Sequence, residues 1–222
     1  LAETGKDAIH THVDPEAVEC EAFRTLRAAL AFTGHDLERL AITSSEPGDG
    51  KTTVISNLAV AYAQAGKRTL IIDADLRKPG LTKLLGLRQR DGLSTLLRSD
   101  VDNAEFAPQM ISVPGISNLY VIPSGPRPSD PAELLSSQRM QEFVAWCEQK
   151  FDQVFIDCPP IMAASDAAII GRLLDGIMLV VQPEKNHRRG VLRATESLRA
   201  PRTNLIGVAA KRIRTQSERQ QR

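Results

Sequence analysis

The run Ala41 to Thr53, AITSSEPGDGKTT, decides the reading of this chain. It reads as the end of a strand, a loop carrying Gly48 and Gly50, and a helix opened by Lys51-Thr52-Thr53. In such a loop the backbone N–H groups and the helix N-terminus point at phosphate oxygens, where the helix dipole favours negative charge. Glycines let the backbone approach the phosphates with no Cβ in the way. Lys51 is placed to reach the β- and γ-phosphates, and the Thr52 hydroxyl to sit on Mg2+. The candidate nucleotide-binding run is therefore Pro47, Gly48, Asp49, Gly50, Lys51, Thr52 and Thr53. Ser45 stands where the pattern G-x-x-x-x-G-K-[ST] has its first glycine. That glycine is the member least involved with charge. The flanks supply the required context: Leu37, Leu40, Ala41 and Ile42 before the loop, and an apolar, Ala-rich helix from Thr53 to Ala65 closed by Gly66.

Outward from the loop, strands and helices alternate. Leu70-Ile71-Ile72-Asp73-Ala74-Asp75 reads as a buried parallel strand with two carboxylates at its C-terminal end, where open α/β sheets bind ligands. FDQVFIDCPP, from Phe151 to Pro160, reads as another, ending in Asp157. The hydrophobic run Val154-Phe155-Ile156 followed by Asp157 resembles a Walker B strand, whose carboxylate binds Mg2+ directly or through water. Further strands are expected at Asn118 to Ile122, Gly176 to Val181 and Leu205 to Ala210. Short helices are expected at Leu81 to Leu85 and Leu93 to Leu97, and longer ones from Pro131 to about Lys150, from a cap at Ser165 to about Leu174, and from about His187 to Ala200. Val101 to Ser117 lacks a period and reads as irregular, and Ser124 to Pro131 reads as a turn-rich loop facing the same crevice. The alternation implies an α/β, P-loop NTPase-like fold: a mostly parallel sheet with helices on both faces.

The N-terminal part reads differently. Residues 1–13 are polar and loose, and Asp14-Pro15-Glu16 starts a helix of about residues 14–33. On it Glu21, Arg24 and Arg27 recur every three residues, a spacing that by itself reads as an exposed helix with an internal ion pair. The domain proper spans 14–212, and 213–222 reads as a basic, disordered tail.

Composition sets the bounds. The 222 residues suit one α/β domain, and a net charge of +1 creates no global field that would imply a nucleic-acid partner. Cys20, Cys147 and Cys158 form no C-x-x-C pair, which reads as a reduced compartment. His10, His12, His35 and His187 have no metal-ligand spacing, and Pro159-Pro160 make a rigid turn that gives Cys158 no catalytic role. No apolar run is long enough to cross a bilayer. The start at Leu1 rather than Met reads as a fragment of a longer protein.

Taken together, SSEPGDGKTT, LIIDADLRKP and VFIDCPP resemble the bacterial tyrosine kinases of capsule and exopolysaccharide synthesis, the cytoplasmic domains of polysaccharide co-polymerases. The resemblance runs from EAFRTLR at Glu21 to Arg27 through GVAAKR at Gly207 to Arg212. It implies an ATP- and Mg2+-dependent protein-tyrosine kinase at the inner face of the cell membrane, with a transmembrane co-polymerase or activator as partner. Lys51 and Thr52 would hold the phosphates and Mg2+. Lys51, Asp73 and Asp75 would be catalytic, with Asp73 preferred over Asp75 as the acceptor of the tyrosine proton. Thr52, Asp75 and Asp157 would hold the metal and its waters. Glu21, Arg24 and Arg27 match the family's E-x-x-R-x-x-R motif, which joins subunits in a homo-oligomeric ring. Each subunit would then offer a C-terminal tyrosine-rich tail to the next.

Two positions depart from the family. The only tyrosines are Tyr62 and Tyr120, neither in the tail. Either a tyrosine tail lies outside this chain, or the substrate is another protein, or the domain only binds and hydrolyses ATP. The last strand ends in Lys211-Arg212 rather than Asn-Arg, where the Asn reads adenine, so Lys211 and Arg212 are the candidate base-side residues. Two alternatives accompany the kinase reading: a P-loop ATPase of the partition or septum-site type, against which Glu46 argues because it occupies the signature-lysine position, and a nucleotide-gated ring scaffold without turnover.

Overall fold

A computed structural model of the chain describes residues 9, 18–32, 37–99, 106–199 and 203–211. The expected loose start (1–13), the helix start at Asp14, Arg212 and the tail 213–222 lie outside the described residues.

In chain order the elements are α1 (Val18–Ala31), β1 (Arg39–Ser44), α2 (Lys51–Gln64), β2 (Thr69–Asp73), α3 (Gly80–Leu84) and α4 (Leu93–Leu96). A 3-10 turn (Ala107–Gln109), β3 (Ile111–Ser112), β4 (Leu119–Ile122), α5 (Pro131–Leu135) and α6 (Gln138–Lys150) follow. The chain then runs through β5 (Gln153–Asp157), α7 (Asp166–Gly171), β6 (Gly176–Val181), α8 (Arg188–Arg199) and β7 (Leu205–Ala210). The strands form one seven-stranded sheet in the order β3-β4-β2-β5-β1-β6-β7. Every pair is parallel except β3 with β4 at one edge.

Strand residues alternate between faces, and the core divides accordingly. Leu40, Ile42, Ile71, Phe155 and Met178 pack with α2 on one side. Ala41, Leu70, Ile72, Ile156 and Leu179 pack with α6, α7 and α8 on the other. Because both faces are covered, the central strands are continuous apolar runs rather than alternating ones. On the first side α2 lies between the sheet and α1, so it is buried on nearly every face. Arg27 stitches the outer layer down, its guanidinium donating to the Ala61 carbonyl at 2.9 Å. Among the described residues no helix is long and apolar enough to cross a membrane.

Three expectations need correction. The helix expected from Pro131 to Lys150 is two helices. Ser136 hydrogen-bonds back to the Glu133 carbonyl, and Ser137 accepts from Met140 N–H as the cap of α6. Serine hydroxyls compete with helical backbone bonds, so an adjacent pair ends one helix and starts the next. The stretch expected to be irregular contributes β3, whose Ile111 and Ser112 pair with Val121 and Tyr120. The helix near Ser165 stops at Gly171, and Ser165 makes no side-chain cap bond.

Candidate active site

The parallel order brings the C-terminal ends of β2, β5 and β1 side by side. Asp73 and Asp157 are register partners on adjacent strands, and Ile42, two residues before the end of β1, pairs with Asp157 on the other side. Three runs distant in sequence therefore end at one spot.

The loop between β1 and α2 turns through Gly48 at φ +84° and Gly50 at φ +90°. Gly50 is required twice over. Its φ lies in the left-handed region, and a Cβ there would stand 2.7 Å from Lys211 Cδ and 2.8 Å from its Nζ. Gly50 caps α2 without a side-chain bond, and no acid occupies the first turn, so the N–H groups of that turn are left for an anion. These features fit a bound phosphate chain.

Behind the loop lies a charged cluster. Lys51 Nζ is 3.1 Å from Asp157 Oδ1 and 3.2 Å from Asp75 Oδ2. Thr52 Oγ1 donates to Asp157 Oδ2 at 2.8 Å. Asp73 is wholly buried and accepts from the backbone N–H of Asp75 at 3.2 Å and of Thr82 at 2.7 Å. Burial opposes the charge of Lys51, but the carboxylates of Asp157, Asp75 and Asp73 together outweigh it and hold the ammonium pKa above its ordinary value. Burial, with the neighbouring charge of Asp157, pushes the Asp73 carboxyl up to about 7. Burial also raises Asp157, against the pull of Lys51 and Thr52. A carboxyl tuned close to neutrality is suited to take a proton at physiological pH.

Among the described residues no group of three or more His, Cys, Asp or Glu is arranged to hold a metal ion. A Mg2+ site of the nucleotide type needs no such cage, because phosphates and waters complete it around one or two protein oxygens. Thr52 Oγ1 and Asp157, in contact, supply that minimal donor set.

The comparisons with known proteins agree with this geometry. A family model described as an AAA domain matches residues 38–205. Tyrosine-protein kinase YwqD of Bacillus subtilis is 37% identical over 198 residues, which cover 87% of this chain and 81% of that protein. The chain belongs to the bacterial tyrosine-protein kinase family. Tyrosine-protein kinase wzc of Salmonella typhimurium is 39% identical over 171 residues, 76% of this chain but 23% of that protein's length. Among solved structures, the chimerical protein CapA2B2 superposes with a TM-score of 0.88 at 33% identity, covering 94% of this chain and 91% of that one.

The structure brings Lys51, Thr52, Asp73, Asp75 and Asp157 together, with Pro47 to Thr53 above them. Lys211 follows β7, its N–H bonded to the Val181 carbonyl, and its aliphatic arm lies against Gly50. Beside it an apolar groove of about 590 Å³ opens between α1 and α2, lined in part by Phe23, Leu26, Thr53, Val54 and Lys211. Glu21 and Arg24 pair with each other at 3.0 Å on the exposed face of α1, while Arg27 turns to α2. These three do not reach the charged cluster.

Further contacts of the site carry no signal in the sequence motifs. Thr82 orients Asp73 through its backbone N–H, and its hydroxyl accepts from Ser124 N–H at 2.8 Å. Arg77 makes a two-pronged bond to buried Asp166, at 2.9 and 3.1 Å, pinning the turn after β2 to α7. Asp49 is gripped by Lys185 and Asn186, which follow β6. Only the sheet order reveals that β6 ends beside the phosphate loop. Cys147 and Cys158 are buried and their thiol pKa values are raised, consistent with inert packing residues.

Proposed function

We propose that this chain is the catalytic domain of a kinase that transfers the γ-phosphoryl group of ATP to protein tyrosine and thereby governs polymerisation and export of a bacterial capsular or exopolysaccharide. The observation that carries the reading is the convergence of Lys51, Thr52, Asp73, Asp75 and Asp157 under a glycine-hinged phosphate loop in a chain of the tyrosine-kinase family.

Each residue has a role in that chemistry. Phosphoryl transfer depends on positioning and charge neutralisation more than on covalent steps. Lys51 supplies a permanent positive charge at the phosphates, because its carboxylate neighbours keep it protonated. Thr52 and Asp157 would hold Mg2+, with Asp75 supporting its waters. When bound, Mg2+ neutralises the phosphate oxygens. Asp73, held by two backbone N–H groups, is the acceptor for the tyrosine proton. The groove beside Thr53 and Lys211 takes the nucleoside end, with Lys211 on its base side; Arg212, the other candidate base-side residue, lies outside the described residues.

The substrate tyrosine belongs to another segment or protein. Tyr62 packs edge-on against Phe155 at 5.3 Å, and Tyr120 packs against Phe151 at 5.7 Å, so both rings serve the core. The assembly inferred from the E-x-x-R-x-x-R motif is a homo-oligomeric ring at the inner face of the membrane. A transmembrane co-polymerase or activator would anchor it, and each protomer would receive a tyrosine tail.

The test is incubation with γ-labelled ATP and Mg2+, with and without a tyrosine-rich peptide, followed by mass spectrometry. Label on peptide tyrosine that disappears in Asp73→Asn is the expected result. Phosphate release with no labelled tyrosine would replace the kinase with an ATPase. Nucleotide-dependent assembly without turnover would replace it with a scaffold.

A further inference from the structure

Asp49 poses an electrostatic problem. It sits between Gly48 and Gly50, inside a loop that must receive phosphate anions, and a carboxylate there repels them. Yet its side chain is fully buried, and both oxygens are consumed. Oδ2 accepts from Glu46 N–H at 2.7 Å within the loop. Oδ1 accepts from Asn186 Nδ2 at 3.0 Å and from Lys185 Nζ at 2.6 Å. The same Lys185 ammonium donates to the Pro47 carbonyl, and it would lie 3.6 Å from a Cβ on Gly48. One cation thus bonds two residues of the phosphate loop, Pro47 and Asp49, on either side of Gly48.

The clasp is anchored on the far side. Asn186 is buried, and its Oδ1 accepts from Gln182 N–H at 2.7 Å. The backbone N–H groups of Lys185 and Asn186 both return to the Gln182 carbonyl, directly after β6. The tether therefore ties a glycine-hinged loop to the end of a central strand.

We propose that Lys185 is a positioning residue of the nucleotide site: it cancels the charge of Asp49 and holds the phosphate loop in its anion-binding shape. The proposal rests on the reading of that loop as the ATP site. A preformed loop spares the ordering cost of binding, and a neutralised Asp49 leaves the loop's N–H groups and Lys51 free to act on the phosphates. The role is in binding rather than in the transfer step, because Lys185 belongs to the Pro47–Asp49 side of the loop and not to the Lys51–Asp157 cluster.

The experiment measures ATP affinity, KM and kcat for the 222-residue chain and its variants, together with hydrogen exchange of the loop amides of Glu46 and of residues 48–51 without nucleotide. Lys185→Ala raises the Kd and KM for ATP by roughly five- to tenfold, with kcat little changed, and speeds loop exchange. Lys185→Arg recovers most of the affinity. The deciding variant is Asp49→Asn placed on Lys185→Ala: it binds ATP more tightly than Lys185→Ala alone, because the exposed negative charge is gone. If Lys185 instead contacted the phosphates directly, Lys185→Ala would cost as much affinity in the Asp49→Asn chain as in the parent, and the proposal falls. Unchanged affinity and unchanged exchange in Lys185→Ala also overturn it. If the parent chain binds no ATP, the nucleotide reading fails, and the exchange measurement still judges the clasp by itself.

Discussion

Lys51 and Asp157 stand 3.1 Å apart, joining the first residue of α2 to the last residue of β5, 106 positions later in the chain. Asp157 is wholly buried, and Asp75 and Asp73 crowd the same space. Removing the lysine strands three carboxylates with no ammonium among them. Lys51→Ala is expected to abolish tyrosine labelling and to lower stability by about 3–5 kcal/mol, the usual cost of breaking a buried pair. Denaturant melts beside the labelling assay separate the two effects. Lys51→Arg keeps the charge in a different shape, and should recover stability more than activity.

The raised pKa of Asp73 has a sign that can be checked. The folded carboxyl titrates at about 7, above its ordinary 3.8, so between those pH values the folded state binds more protons than the unfolded chain. Its stability contribution is thus fully favourable near pH 4 and is lost as pH rises toward 7. Asp73→Asn removes this dependence. The Tm of Asp73→Asn minus that of the parent chain should increase from pH 4 to pH 7, and a difference that is flat or falls with pH would contradict the assignment. Kinase activity should move the other way, rising through about pH 7 as the base form appears.

Gly50→Ala tests the hinge. The substitution meets both a positive φ and the Lys211 side chain, and is expected to cost about 1–2 kcal/mol from the backbone conformation alone. Lys211→Ala in the same chain should relieve only the steric part. Full recovery of ATP binding in the double variant would show that the hinge tolerates a side chain.

The arginines of α1 separate folding from assembly. Arg24 pairs with Glu21 on an exposed face, so Arg24→Ala should change stability by no more than about 1 kcal/mol. Arg27→Ala loses a bond to the Ala61 carbonyl and should cost about 1 kcal/mol. Both variants therefore remain folded. Their combination is expected to elute as a monomer, and an unchanged elution volume would remove the ring from the functional reading.

Much of this molecule is legible along the chain because the relevant signals are local. Gly48, Gly50 and Lys51 mark a loop whose chemistry is set by backbone conformation. The unbroken apolar runs before Asp73 and Asp157 report strands covered on both faces. The strings around them carry the family. What needed the tertiary structure was every relationship that depends on sheet order. That Lys51 faces Asp157 and that Lys185 cancels Asp49 follow from β2, β5, β1 and β6 ending next to one another, and parallel crossovers leave no trace of their order in sequence spacing. The break at Ser136-Ser137 is the converse case: a local signal was present, but a serine reads as a cap only once the backbone has stopped being helical around it.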